Sequence, residues 1–353
     1  MGVKPWRTRE QLINTLIQQR HLKCDSKCDL DTILKENNYF QLINGLENFL
    51  LPDIDTRPKT FATENVNDFL RLYQFDEELK RTVQLLTEKF EDKLKTSIAH
   101  NFSKNHCMNL NDTMQYTNNS NFVNIGGDDQ YPFKLYQYKK IYNNFDRFLL
   151  FKSNFVDNLV NHHDFIDRSF YRSNSYTAPS GVTTFSDDPK VAVPFWVTIQ
   201  TLDFGNLVWL LHYLQDSDMR DVLDDFDLPL RKRFFFLNAL DIIKELRNNC
   251  AHGSLLLRFR TPEYIKLNTN LVSYFNLSPY HNGGNTTYSS NISLFDSLKI
   301  LYLFVDMSPL KKVFKKIIYQ NNRYFHKKSY DLNQRILLSI GADSYHEIKT
   351  LFH

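Results

Sequence analysis

The stretch VNDFLRLYQFDEELKRTVQLLTEKFEDKLKTSIAHNF, residues 66–102, decides the fold class. Its large apolar residues recur at spacings of three, four and seven, which places them on one face of a helix. These residues are Phe69, Leu72, Leu79, Val83, Leu86, Phe90, Leu94 and Ile98. The pattern predicts a long amphipathic helix or a broken pair of helices.

Two other stretches have a helical period, KLYQYKKIYNNFDRFLLFKSNFVDNLV (134–160) and FWVTIQTLDFGNLVWLLHYL (195–214). The second follows Pro194, and proline favours the first turn of a helix. Only 10 Gly and 11 Pro occur in 353 residues, so turn signals are few. Sustained alternation with period two is absent apart from short ambiguous stretches such as SLLLRFRT (254–261). We therefore expect an all-α bundle with irregular insertions and a helical C-terminal extension.

The composition is that of a globular protein, because 42% hydrophobic and 14% aromatic residues provide a large apolar surface to bury. No apolar run approaches the length of a membrane span, and the first ten residues lack the apolar stretch of a signal peptide. Trp6 also disrupts the myristoylation pattern that begins at Gly2. We expect a cytoplasmic protein without a membrane partner.

Three polar segments rich in Asn, Ser, Thr, Gly and Pro interrupt the helical patterns, and we interpret them as long loops or small irregular insertions. They span residues 105–132, 173–194 and 268–291. The chain divides accordingly into an N-terminal helical segment, a helical core and a polar loop followed by a basic helical region. The expected boundaries are 1–60, 61–267 and 268–353.

Four cysteines do not predict a disulfide framework in a chain of this length. Cys24 and Cys28 are close in sequence, but their spacing is not that of the usual zinc ligand pairs, and no second pair follows. Adjacent His162 and His163 are better explained as surface histidines. We expect no metal and no cofactor.

The formal net charge is only +3, but it is unevenly distributed. Residues 309–353 contain nine Lys and Arg against three acids, a net charge of +6, which leaves −3 for the rest. The stretch PLKKVFKKIIYQNNRYFHKK (309–328) predicts an amphipathic helix with Lys311, Lys312, Lys315 and Lys316 on its polar face. Such a face can bind RNA, a membrane surface or a calmodulin-like protein, or can simply be solvated over a packed helix.

The stretch KELRNNCAHGSLL (244–256) ends an apolar helix that we assign to about residues 231–252. At about 100° per residue, Arg247 lies some 40° to 60° from the apolar stripe, whereas His252 would point about 180° from it. Both can serve one site only if the helix ends before His252, which Gly253 permits, or if a second chain completes the site. The spacing alone is weak evidence, since an ion-paired arginine and a capping histidine would also explain it.

RNNCAHGSLL resembles the RNxCAH element of the Abi-like abortive infection proteins, of the AbiD/AbiF type, whose core belongs to the HEPN superfamily. The resemblance covers most of the chain, including residues 4–22 and 72–103. Residues 193–214 are similar to the family's P-x-W-V … S-F-G-x-L segment, with matches at Pro194, Trp196, Val197, Phe204, Gly205 and Leu207. The chain departs from the family pattern in three places. NNYFQLINGL (37–46) stands where the family usually has the sequence YYRLSGY, and Gly253 stands where a second histidine often follows the motif. The 105–132 loop looks longer than in the family.

The resemblance implies a HEPN-like bundle and a metal-independent ribonuclease that uses the RNA's own 2′-hydroxyl as nucleophile. The residues suit this chemistry. His252 can transfer the proton near neutral pH, and Arg247 can stabilise the charged transition state. Asn248 can orient the histidine or hold a phosphate oxygen, although an asparagine in a helix's last turn needs no such role.

A single motif in each chain predicts a homodimer, because two copies about a twofold axis would place two arginines and two histidines around one cleft. We expect RNA as substrate and, by resemblance, a structured noncoding RNA as antitoxin. Further candidate phosphate ligands are Arg231, Lys232, Arg233, Arg258 and Arg260. The alternative function is a HEPN-type module that binds RNA or a protein without cleavage; a structural adaptor is a third possibility, against which an intact Arg and His pair argues.

Overall fold

The computed structural model describes residues 5–55, 57–127, 141, 143–265, 267–277, 291–324 and 330–352. These residues form fourteen α-helices, short 3-10 and π turns, and three isolated β-bridges, without a β-sheet. The expected all-α class is therefore confirmed. The helices are α1 Arg9–Asn14, α2 Lys27–Glu36, α3 Glu47–Leu50, α4 Val66–His106, α5 Phe155–His162, α6 Phe195–Thr198, α7 Phe204–Tyr213, α8 Asp216–Asp224, α9 Arg233–Ala251, α10 Thr269–Phe275, α11 Leu294–Tyr302, α12 Ser308–Tyr324, α13 Leu332–Ile340 and α14 Tyr345–Lys349.

Helix α4 is one unbroken helix of 41 residues, so the alternative of a broken pair was wrong. Its N-terminus is fixed by a capping box in which Asn65 and Asp68 satisfy each other's backbone N–H groups. The eight apolar residues of the predicted stripe are all buried. Because this stripe runs the length of the helix, α4 can serve as the support against which the other helices pack.

Helix α9 packs antiparallel to α4. Asp76 near the start of α4 accepts a hydrogen bond from the Leu257 N–H, beyond the end of α9. Ser97, further along α4, donates to Asp225, which precedes α9. This direction places the C-terminal end of α9, with the RNNCAH motif, beside the middle of α4.

Two predicted helical stretches differ from expectation. The described part of 134–160 contains 3-10 turns at Phe145–Arg147 and Leu149–Phe151 between the helical residues 141 and 143 and helix α5, so it is not one continuous helix. The stretch 195–214 begins after Pro194 as expected, but it divides into α6 and α7. The division occurs because the Asp203 carboxylate accepts the Asn206 N–H at 2.8 Å and starts a new helix.

The polar segments are mostly irregular where the structure describes them. Residues 105–127 contain short 3-10 turns, and residues 173–194 contain no helix. The segment 268–291 was predicted as a loop, but Thr269–Phe275 forms α10, which is capped by Asn268. Residues 128–132 and 278–290 of these segments lie outside the described residues.

Among the helices of the described residues, none combines the length and the apolar composition needed to cross a membrane.

Candidate functional site

The motif helix ends where its sequence predicts. Helix α9 stops at Ala251, and the N–H of His252 donates to the Asn248 carbonyl at 2.9 Å. Gly253 then adopts a left-handed backbone with φ +68°, a conformation that favours glycine. The His252 side chain is exposed at this helix end.

Arg247 lies one and a half turns earlier on α9 and faces α4. Its Nε is 4.0 Å from Glu91 Oε2, at the outer limit of an ion pair, and 37% of its side chain is exposed. The other Glu91 oxygen lies 3.0 Å from Lys95 Nζ. Two cations thus share one carboxylate, so the local charge is positive and the guanidinium retains donors for a phosphate.

Arg247 and His252 do not form a contact with each other among the described residues. Their spacing of five residues corresponds to about 140° around the axis of α9, at about 100° per residue. One chain therefore presents the two groups separately.

The segment that follows His252 is tied to α4 and to the N-terminal region. The Gly253 carbonyl accepts a hydrogen bond from Gln41 Nε2 at 2.8 Å, and Lys80 Nζ lies 3.5 Å from the same oxygen. The Leu257 N–H donates to Asp76 Oδ1 at 2.7 Å. These contacts fix the backbone on both sides of the turn, so they position the end of the motif.

Asp76 is the most deeply buried carboxylate in this arrangement, with 0% exposure. Its Oδ2 lies 3.6 Å from Lys80 Nζ, which also contacts Glu77 Oε1 at 2.5 Å. Burial raises the pKa of Asp76 to about 6, since the hydrogen bond from Leu257 and the charge of Lys80 only partly offset the loss of hydration.

The N-terminal segment NNYFQLINGL contacts the turn after the motif, although its sequence departs from the family's YYRLSGY. It contributes Gln41, and it approaches the motif closely at Gly45. A Cβ at Gly45 would lie 2.2 Å from Leu255 Cδ1 and 2.5 Å from the Gln41 carbonyl oxygen. Only glycine fits this approach, so the segment supports the motif through Gly45 and Gln41.

Sequence reasoning missed the residues of α4 that contact the motif. Glu91 and Lys95 resemble ordinary helix-surface charges in the sequence, but both are buried. Asp76 did leave a signal, because it lies four residues after Leu72 and three before Leu79, on the apolar face of the helix beside Phe75. A carboxylate at such a position indicates a specific buried partner.

Asp241, on the inner face of α9, is also buried, and neither carboxylate oxygen has a hydrogen-bond partner within the described residues. The nearest cation is Lys244, whose Nζ lies 4.0 Å away. Burial raises the pKa of Asp241 to about 8, against the smaller opposing effect of Lys244.

The three predicted phosphate ligands at the start of α9 differ in exposure and in the groups that they contact. Arg231 is exposed. Lys232 lies over the rings of Phe235 and Tyr274, at 4.6 and 5.0 Å. Arg233 is only 12% exposed and bridges Asp216 and the carbonyls of His212 and Leu214. Its guanidinium joins α7, α8 and α9, so Arg233 is less accessible to a phosphate than Arg231.

Beyond the motif, Arg258 is exposed. Arg260 is half-buried, with Nη1 donating to the Phe259 carbonyl at 2.7 Å, and its backbone forms a β-bridge with Ser293. Arg258 is therefore the more accessible of these two candidate ligands.

Helix α12 has the predicted two faces. Leu310, Val313, Phe314 and Ile317 are buried, and Ile318 is half-buried. The four lysines of the opposite face are exposed. Lys316 pairs with Glu78 of α4 at 2.5 Å, whereas no ion pair within the described chain involves Lys311, Lys312 or Lys315.

Within the described residues, no three His, Cys, Asp or Glu side chains are grouped so that they could hold a metal ion. Cys24 and Cys107 are half-buried free thiols, Cys250 is buried, and the Cys28 side chain lies outside the described residues. Burial raises the pKa of the Cys250 thiol to about 12, so this motif cysteine is a packing residue.

With this geometry established, the comparisons give one family. A family model described as Abi-like protein matches residues 32–258, which is more than half of the chain and includes the motif, α4 and the Gln41 segment. No curated protein and no solved structure matches the chain.

Proposed function

Because the chain belongs to the Abi-like protein family, we propose that it acts in abortive infection, the defence of bacteria against phage, as a metal-independent endoribonuclease of HEPN type. One observation carries the catalytic part of this proposal. The RNNCAH motif ends a helix with His252 exposed and with Arg247 only loosely paired. A proton carrier and a phosphate ligand are thus both accessible to a substrate.

In the proposed reaction, the 2′-oxygen of the RNA forms a bond to the adjacent phosphorus and the bond to the 5′-oxygen breaks. The proton of the 2′-hydroxyl passes to a base, and the leaving 5′-oxygen receives a proton. His252 performs one of these transfers, and Arg247 stabilises the added negative charge on the phosphate oxygens. The products are a 2′,3′-cyclic phosphate and a free 5′-hydroxyl.

A direct test measures cleavage of a labelled RNA by the purified protein in the presence of EDTA. Expression in bacteria gives a second test, because the wild-type protein should arrest growth and the Arg247→Ala and His252→Ala variants should not. If both variants arrest growth as the wild type does while still binding RNA, the alternative of a non-cleaving module replaces the ribonuclease. A structured noncoding RNA that copurifies with the protein would be the proposed antitoxin.

We expect the active species to be a homodimer in which two α9 ends face each other. This is supported by the separation of Arg247 from His252 within one chain, since a second copy could bring its own pair to the same cleft. Light scattering coupled to size exclusion should give twice the chain mass at micromolar concentration. An active protein that remains strictly monomeric would contradict the dimeric site.

We expect the exposed lysines of α12 to contact RNA phosphates. Replacing Lys311, Lys312 and Lys315 by alanine should reduce the slope of log affinity against log salt by about 2, since each phosphate contact to a single strand contributes about 0.7. Lys316→Ala is the matched control, because this lysine is already paired with Glu78. An unchanged slope in the triple variant would mean that the face is only solvated.

A further inference from the structure

A cleft on α4 lies beyond the contact of Arg247 with Glu91, on the side away from Gly253. It lies between the C-terminal half of α4 and the short helix α6, and its volume is about 590 Å³. That volume is within the range of about 300–1,000 Å³ typical of small-molecule sites. Lys95 lines the cleft and contacts Glu91, which in turn lies 4.0 Å from Arg247. The cleft therefore begins one helical turn from the residue that pairs with the motif arginine.

The cleft displays the indole of Trp196, which is 59% exposed. Neighbouring residues hold α6 firmly: Phe195 is fully buried and stacks on Tyr116 with a centroid distance of 4.8 Å. The Tyr116 hydroxyl also forms a hydrogen bond of 2.8 Å with Oγ1 of Thr198, the last residue of α6. The buried side of α6 is thus rigid, and it presents a large aromatic face to solvent at a fixed position.

The charge of the cleft favours an anionic occupant. Lys95, His100 and Lys104 line it, and the lining includes no Asp or Glu. Lys95 pairs with Glu91 and Lys104 with Asp221, but Lys104 is 60% exposed and keeps donors for a phosphate. Ala99 provides a small side chain on the α4 side, and Gln200 adds an amide that can donate and accept hydrogen bonds. An aromatic face with basic and amide groups beside it matches the parts of a nucleotide, because a base stacks on the ring and the phosphate contacts the cations.

We propose that this cleft is a nucleotide subsite, in which a base of the bound RNA on the Arg247 side of the motif stacks on Trp196 and its phosphate contacts the basic lining. The inference rests on the proposed function and deepens it, since it names the residues that hold the strand beside Arg247. Trp196 is here a substrate-binding residue, so its loss should raise KM while the proton transfer by His252 is unaffected.

The test uses a short 2′-O-methyl oligoribonucleotide, which cannot be cleaved through a 2′-hydroxyl, so binding is measured without catalysis. Trp196→Ala should weaken its affinity about 5-fold to 150-fold, the equivalent of about 1–3 kcal/mol per stacked base. Trp196→Phe should retain most of the affinity. Phe170→Ala is the matched control, because Phe170 is an exposed aromatic (83%) that does not line the cleft. In a Trp6→Phe, Trp209→Phe background, which leaves Trp196 as the one tryptophan of the three, the oligonucleotide should quench tryptophan fluorescence saturably.

The outcomes separate this inference from the ribonuclease. Unchanged affinity in Trp196→Ala overturns the subsite alone, as does an unchanged KM in a protein that cleaves RNA. A Trp196→Ala variant that loses dimerisation overturns it too, because the cleft would then be an interface between copies. Saturable quenching without any cleavage would support the subsite and overturn only the ribonuclease, whereas a wild-type protein that binds no RNA would overturn both.

Discussion

His252→Ala should lower the rate of RNA cleavage about 100-fold to 10,000-fold, which is the usual effect of removing a general acid or base. The protein should still fold, because the His252 side chain is exposed and the backbone hydrogen bond to Asn248 does not need the imidazole. Single-turnover cleavage of a labelled RNA measures the effect. His162→Ala, which removes an exposed histidine at the end of α5, is the matched control and should cleave normally.

Substitutions of the neighbouring motif residues should lower the cleavage rate by smaller, ranked amounts. Arg247→Ala should cost about 100-fold to 1,000-fold, the effect typical of losing one donor to a transition-state oxyanion. Arg247→Lys should recover only part of this, because a lysine lacks the planar fork. Asn248→Ala should have the smallest effect of the three. A 2′-deoxy residue 5′ of the cut should stop cleavage, since that hydroxyl is the nucleophile.

Two results would remove this mechanism. Equal cleavage of DNA and RNA would show that the 2′-hydroxyl is not the nucleophile. Loss of activity on chelation would show that a metal ion performs the step assigned to His252 and Arg247. Either result would make the non-cleaving alternative, with the basic α12 as its RNA contact, the better account of the motif.

The helical fold was accessible from sequence because its main signal is long and periodic. The stripe from Phe69 to Ile98 has one period throughout, and burial of one face accounts for it. The break between α6 and α7 was less accessible, because the periodicity continues across a cap that a single residue, Asp203, creates. Tertiary contacts also decided the 3-10 turns near Phe148, whose ring packs on Trp209 and Tyr213 of α7.

The motif residues of the candidate site were found from sequence, but their surroundings were not. Arg247 and His252 lie in a short recognisable stretch at the end of one helix. Gln41 and Glu91 are separated from that stretch by more than a hundred residues, and only folding brings them to it. The surroundings of Arg233 were also not predictable, because a sequence cannot show that an arginine already donates to backbone carbonyls.

Asp76→Ala should lower the free energy of unfolding at pH 7 by about 3–5 kcal/mol, because it removes one member of a buried ion pair and leaves the other uncompensated. Lys80 would remain only 6% exposed with the single carboxylate of Glu77, and the Leu257 N–H would lose its acceptor. Glu77→Ala is the matched control. It removes the other partner of Lys80 at a position that is 35% exposed, so the expected cost is about 0–1 kcal/mol.

The pH dependence gives a sharper measurement. Asp76 has a folded-state pKa of about 6, above its ordinary value of 3.8, so the fold favours the protonated carboxyl. The pH-dependent part of the Asp76 contribution is therefore complete below about pH 4 and is lost as the pH rises through about 6, a decline of about 3 kcal/mol at 1.4 kcal/mol per pKa unit. The contacts with Lys80 and Leu257 remain at pH 7 and are what Asp76→Ala removes there. Asp76→Asn keeps an acceptor for Leu257 and cannot ionise, so urea unfolding of this variant should lack that part of the decline. If the wild type and Asp76→Asn keep a constant difference in unfolding free energy from pH 4 to 7, Asp76 does not titrate as its burial requires. The contact with Leu257 would then not depend on the charge of this carboxyl, and its support of the motif would come from shape alone.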